Sequence, residues 1–132
     1  MNNIFIDNIH KSRFWKLITG AGIHEYDWER QSLLYIISGN EDLYLKKAVI
    51  YDFCENTIIK DCIMFEKSYF CSTSKALIRL AYNLYCGYYD DYTNPLNLLC
   101  GLDSKNLFLA CQAILIRLQG SKSCLALACR GG

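Results

Sequence analysis

Between Ser72-Thr73-Ser74 and Gly87, the apolar side chains Leu77, Leu80, Ala81 and Leu84 recur at i, i+3, i+4 and i+7. That spacing gathers them on one stripe of a 3.6-residue helix, whereas a strand would scatter them over both faces. Hydroxyls stand where an N-cap is needed and a glycine supplies the stop, so the sequence predicts a central packing helix here, with the Ser72 to Ser74 hydroxyls as caps. A nucleophile among them is disfavoured, because no G-x-S-x-G elbow surrounds them and no histidine stands near as a base.

The same logic divides the rest of the chain. Asp7 caps a helix running to about Thr19, with Ile9, Phe14, Leu17 and Ile18 on its apolar side and Gly20-Ala21-Gly22 as its stop. Asp27 caps a second helix that ends at Ser38-Gly39-Asn40. Its run Leu33 to Ile37 is nearly continuous, a pattern that periodicity alone cannot separate from a buried strand, and the flanking caps favour helix. A third helix is expected from Glu41 to Cys54, a short helix from Asn94-Pro95 to Gly101, and a last long one from Ser104 to Leu118. On that last helix Leu107, Cys111, Ile114, Leu115 and Leu118 form the expected core face. Within residues 57–70, Thr57-Ile58-Ile59-Lys60 and Cys62-Ile63-Met64-Phe65 each read as a short strand or a helical turn, so one short β-hairpin or an irregular segment is expected there. The expectation is an all-α bundle of about five to six helices forming a single domain over 1–120, with a short tail over 121–132 that is expected to fray.

A chain of 132 residues with 52% hydrophobic and 20% charged residues can bury one core and is not disordered. Fourteen basic and thirteen acidic residues leave a formal charge of +1. No global field draws it to phosphate backbones, so nucleic acid is not the expected partner, and a helical nucleic-acid binder using Lys11, Arg13 and Lys16 is the third-ranked reading. Weak charge repulsion also permits self-association, so a homodimer is among the expected states. No apolar stretch approaches the roughly 20 residues of a membrane span.

Eight cysteines are spread through the chain without a C-x-x-C pair, and the N-terminal residues show no export signal, so reduced thiols and a cytoplasmic location are expected. Cys86 and Cys111 read as inert core residues. With only His10 and His24 to add to the thiols, neither a metal site nor a cofactor is expected. His24, beside Glu25 and Asp27, is the histidine better placed to titrate, although a solvated side chain is the simpler account.

Several blocks together resemble a known family: Asp27-Trp28-Glu29-Arg30 leading into Leu33 to Tyr44, then Ile50-Tyr51-Asp52-Phe53, then Phe70-Cys71-Ser72-Thr73-Ser74 through Tyr85, then Pro95 to Leu99. The chain resembles an uncharacterised small-protein family of Gram-positive bacteria and their phages and mobile elements, over most of its length up to about Leu118. Cys86 stands where that family's pattern has asparagine, and the segment after Gly120 does not resemble it. The resemblance carries no activity. It implies a bacterial cytoplasmic setting.

The candidate site residues are Arg79, Asn83, Arg30, Tyr88, Tyr89 and Tyr92. Arg79 and Asn83 lie four residues apart on one helix and can share a patch, where a planar guanidinium would grip a carboxylate or phosphate. The competing account is a half-buried network tying that helix to Asp52 or Glu29. Ten tyrosines are unusual in so short a chain, and Tyr82, Tyr85, Tyr88, Tyr89 and Tyr92 cluster at one helix end and loop. Tyrosine offers large contact area with a polar tip, which suits an interface as well as a core cover. The leading expectation is a non-enzymatic module that binds a bacterial protein or protein complex, with antagonism of a defence system, in the manner of an anti-CRISPR protein, as its sharpest form. A small enzyme or ligand-binding protein with a polar pocket around Arg79, Asn83 and Arg30 is the alternative.

Overall fold

All nine residues from Gln31 to Gly39 are buried. A helix apolar on every side must be surrounded, and this one is the axis of the molecule. The computed structural model describes residues 4–59 and 70–120. In it, α1 (Asn8–Ala21), α5 (Ser72–Cys86) and α7 (Ser104–Gln119) all pack on α2 (Trp28–Gly39). Three short helices, α3 (Glu41–Leu45), α4 (Lys47–Ile50) and α6 (Pro95–Leu99), link them, with one small antiparallel pair, β1 (Tyr51–Asp52) and β2 (Thr57–Ile58). Tyr51 faces Ile58 and Asp52 faces Thr57 in that pair. The protein is a compact helical domain with a small hairpin, as the periodicity requires.

Caps explain most boundaries. The Asp7, Asp27, Asn40, Asn94 and Asp103 side chains accept from backbone amides in the first turns of α1, α2, α3, α6 and α7. Gly22 and Gly87 close α1 and α5 in the left-handed conformation. The hydroxyls in the first turn of α5 do not serve as expected: its N-cap is Cys71, which makes no side-chain cap bond, and Ser74 points its hydroxyl at Asp42 instead, 2.7 Å away. A carboxylate on the neighbouring α3, half-buried with 35% of its side chain exposed, outcompetes the helix's own amides.

The expected third helix is broken. It bends at Lys46, ends at Ile50 and turns into the hairpin, so the described hairpin spans 51–58 and overlaps the expected segment of 57–70 at Thr57 and Ile58. Asp52 accepts from the amides of Cys54 and Glu55, a turn that competes with helix, and Asn56 adopts a left-handed φ of 54°. Residues 60–69 and the expected tail lie outside the described residues.

Two faces differ from expectation. On α1, His10 is buried where Ile9 was expected, and Ile9 is exposed. On α7 the core face is Leu109, Ala110, Ala113 and Ile116, while Leu107, Phe108, Cys111, Leu115 and Leu118 are exposed. The two alanines give α7 a low surface that can lie close against α2. Cys86 and Cys111 are accordingly exposed, not core.

Candidate functional site

Asp90 sits in the loop after α5 and organises the predicted tyrosine cluster. Its carboxylate accepts from Arg79 Nε at 2.9 Å, the Tyr88 hydroxyl at 2.7 Å, the Thr93 hydroxyl at 2.8 Å and the Tyr92 amide at 2.9 Å. Burial pushes the Asp90 carboxyl up, but the Arg79 guanidinium, the two hydroxyls and the Tyr92 amide outweigh it and bring its pKa down to about 2. Asn83 Nδ2 donates to the Tyr88 carbonyl at 2.9 Å, and the Arg79 guanidinium lies 5.0 Å from the centre of the Tyr92 ring. Four of the six expected residues, Arg79, Asn83, Tyr88 and Tyr92, therefore meet around one carboxylate.

The tyrosines divide by depth. Tyr82 is fully buried, its one hydroxyl proton shared between the carbonyls of Ile50 and Ile59, and its ring meets Tyr88 edge to face. Tyr85 and Tyr88 are half-buried. Tyr89 and Tyr92 stand out with 72% and 60% of their surface exposed. A loop whose backbone and inner side chains are fixed thus presents two aromatic rings to solvent.

Arg30 belongs to a different constellation. It donates from Nη1 to Asp27 at 2.9 Å, from Nε to the Tyr51 hydroxyl at 3.0 Å, and from Nη2 to the Asn56 carbonyl at 2.7 Å, with the Tyr85 ring 5.5 Å away. These bonds fasten α2 to the hairpin, and Asn56 extends the tie by donating to the Ala21 carbonyl at the end of α1. The expected pocket uniting Arg79, Asn83 and Arg30 is replaced by two locks, with Asp90 and Asp27 as acid partners. Neither partner was anticipated. The signal for Asp90 is local: an aspartate followed two and three residues later by groups that can bond it is an Asx-turn pattern.

The basic face of α1 is partly engaged, because Arg13 pairs with Glu41 and covers the Tyr44 ring. Lys16 lines an open cleft of about 560 Å³ with Ser12, Trp15, Thr19 and Gly20. His24 is exposed, as expected.

A second cleft, about 370 Å³, lies where the first turns of α3, α5 and α7 meet, lined by Asn40, Asp42, Cys71, Ser74, Asp103 and Lys105 among others. The Ser74 hydroxyl, with the amides of Ser74 and Thr73, holds the Cys71 thiol below its ordinary value. Asp42 donates nothing but accepts from Ser74 and Lys46, and those bonds keep its carboxyl low despite burial. Sequence reasoning missed this cleft because its walls come from three separate helices.

The model of a family of unknown function, DUF6075, matches residues 1–124. The chain belongs to that family. The match runs past Leu118 and Gly120, further than the motif blocks suggested. No curated protein and no solved structure matches the chain. Among the described residues of this DUF6075 member, no helix is long and apolar enough to cross a membrane.

Proposed function

We propose that this chain is a non-enzymatic protein-binding module that presents the Tyr88 to Tyr92 loop to its partner. The observation that carries the reading is the lock around Asp90, which fixes the loop from within and leaves Tyr89 and Tyr92 outward. Binding costs less when the contact residues are already ordered, and exposed tyrosines supply area and a hydrogen-bonding tip together. The alternative, a ligand pocket on Arg79, Asn83 and Arg30, has less support, since both guanidinium groups already hold carboxylates.

The partner we propose is a bacterial protein complex in a Gram-positive cytoplasm, and the sharpest form of the reading is a phage- or mobile-element-encoded antagonist of a defence system. A photo-crosslinking residue at position 89 or 92 tests it in lysate. The expected result is a discrete protein adduct, and the protein so identified is recovered less in a pull-down without crosslinking when the bait carries Tyr89→Ala/Tyr92→Ala. Capture of nucleic acid alone, absence of any adduct, or equal capture by the double variant would refute it.

A further inference from the structure

The run Tyr89-Asp90-Asp91-Tyr92 puts its two carboxylates to different uses. Asp90 is turned inward on Arg79, Tyr88 and Thr93. Asp91 is exposed and takes part in none of the ion pairs among the described residues. The Asp90 carbonyl accepts the Thr93 amide at 3.0 Å, which closes a β-turn with Asp91 and Tyr92 at its two corners. Tyr89 stands just before that turn, more exposed still than Tyr92. Three steps of ~3.8 Å keep the Cα atoms of Tyr89 and Tyr92 within ~11 Å, so both rings and the Asp91 carboxylate belong to one small patch.

The patch is one-sided in charge. From Leu80 to Ser104 the chain contains Asp90, Asp91 and Asp103 and no lysine, arginine or histidine. Arg79 reaches the loop from α5, but it is bonded to Asp90 and its side chain is only 16% exposed. Two carboxylates against one guanidinium leave the loop at −1, in a chain whose formal total is +1.

We infer that this loop recognises an arginine-bearing peptide segment of its protein partner, whose guanidinium stacks on the exposed tyrosines and pairs with Asp91. The inference rests on the reading of the loop as a docking surface and names the chemistry of what docks there. A cation is drawn to the negative face of an aromatic ring, and a planar guanidinium can stack on it while its N–H groups reach a carboxylate. The molecule already holds that arrangement once: Arg79 Nε donates to Asp90 while its guanidinium lies 5.0 Å from the centre of the Tyr92 ring. Asp91 offers the second carboxylate of the same turn, on the solvent side. Phosphate polymers and anionic lipid headgroups carry the wrong sign for it, and an apolar segment would bury its charge without a partner. Lysine has the charge but neither the flat face nor the fork of arginine, so it is the weaker ligand.

NMR titration of the isotope-labelled full chain with short Gly-Ser peptides tests this, one peptide carrying two arginines and its twins two norleucines or two glutamates. The arginine peptide is expected to shift the Tyr89, Asp91 and Tyr92 amide signals saturably, with Kd on the order of 1 mM, and to weaken as salt is added. Its twins should leave those signals in place. Asp91→Asn should weaken binding roughly threefold and Tyr89→Leu/Tyr92→Leu roughly tenfold, whereas Tyr89→Phe/Tyr92→Phe keeps both rings and binds within about twofold of the native chain. Asp91→Lys should reverse the preference towards the glutamate peptide. Asp91 is exposed, so its substitution leaves the lock around Asp90 in place, and unchanged amide signals outside the loop report that each variant is folded. Shifts confined to other acidic patches, equal shifts with norleucine, or a preference unaltered in Asp91→Lys would overturn the inference. Sequencing the partner fragment crosslinked at position 92 separates the two readings. A fragment without arginine removes the arginine ligand and leaves the docking loop standing, whereas absence of any adduct removes the docking loop itself.

Discussion

The imidazole of His10 joins α1 to the middle of α2: its Nε2 lies 3.0 Å from the backbone carbonyl of Tyr35, and its Nδ1 accepts the Ile6 amide at 3.1 Å. An amide can only donate, so Nδ1 is the bare nitrogen and Nε2 carries the proton given to Tyr35. The ring is buried, packed against Phe5 and Tyr35, and is held neutral.

Burial lowers the pKa of His10 to about 4 from 6.5, against the opposing pull of the Tyr35 carbonyl. Between those values the unfolded chain binds a proton that the folded chain refuses, so stability falls as pH drops from 6.5 towards 4. The loss is on the order of 3 kcal/mol. Urea unfolding across that window should show it, and His10→Gln, less stable at neutral pH, should show a flattened slope. An unchanged slope in the variant would assign the acid limb to other groups.

Gly39 leaves no room beside the same histidine. A methyl group there would lie 2.2 Å from Leu109 Cδ1 and 2.9 Å from His10 Nε2. Leu109 is fully buried and cannot swing into solvent. Gly39→Ala is expected to destabilise by about 2 kcal/mol, because overpacking outweighs the ~1 kcal/mol of helix propensity that alanine brings. Adding Leu109→Ala should cost less in the Gly39→Ala background than alone, a coupling that a double-mutant cycle reads directly.

Asp90 should produce a second acid limb, separate from that of His10. Its folded pKa of about 2 lies below the ordinary 3.8, so its contribution is present above pH 4 and is lost as pH falls towards 2. The full value is about 2 kcal/mol, since both side chains of the Arg79–Asp90 pair are largely shielded from solvent. Asp90→Asn should abolish this limb. Near-neutral amide exchange at Tyr92 should also speed up in the variant, because the bond that protects that amide is weakened. Unaltered exchange would mean that the loop is held by something other than Asp90.

Local signals and distant ones differ sharply in how well they could be read. Asp7, Asp27 and Asn94-Pro95 begin their helices, and Gly22, Gly87 and Gly120 end theirs, because caps act within a few residues. The hairpin that follows the broken third helix is tied at Tyr51, whose hydroxyl meets Arg30 from α2 and Asn56 from the turn, partners that no local pattern couples. On α7 the period was right and the face was wrong: both sides are apolar, and the larger residues point outward while alanines face α2. The grouping of Arg79, Asn83, Tyr88 and Tyr92 was legible from spacing along one helix and its following loop. Arg30 was not separable from them, because its lock is assembled from four segments.

Gly120 closes α7 under the Trp28 indole, and two constraints act on it together. Its φ is 84°, where an L side chain is strained, and an added Cβ would lie 2.6 Å from both Cε2 and Nε1 of Trp28. Neither is relieved by a small rotation, since the ring is a rigid plane seated at the first residue of α2 and the backbone angle belongs to the helix stop. Gly120→Ala is therefore expected to cost about 2–5 kcal/mol, the sum of ~1–3 kcal/mol for a positive-φ, extended-ψ backbone that is essentially reserved for glycine and ~1–2 kcal/mol of overpacking. Trp28 reports the event: in a Trp15→Phe background its fluorescence should shift as the indole is displaced, and unfolding followed by that signal should move to lower urea. A Gly120→Ala chain with native stability and an unshifted spectrum would show that the end of α7 yields freely and does not press on Trp28.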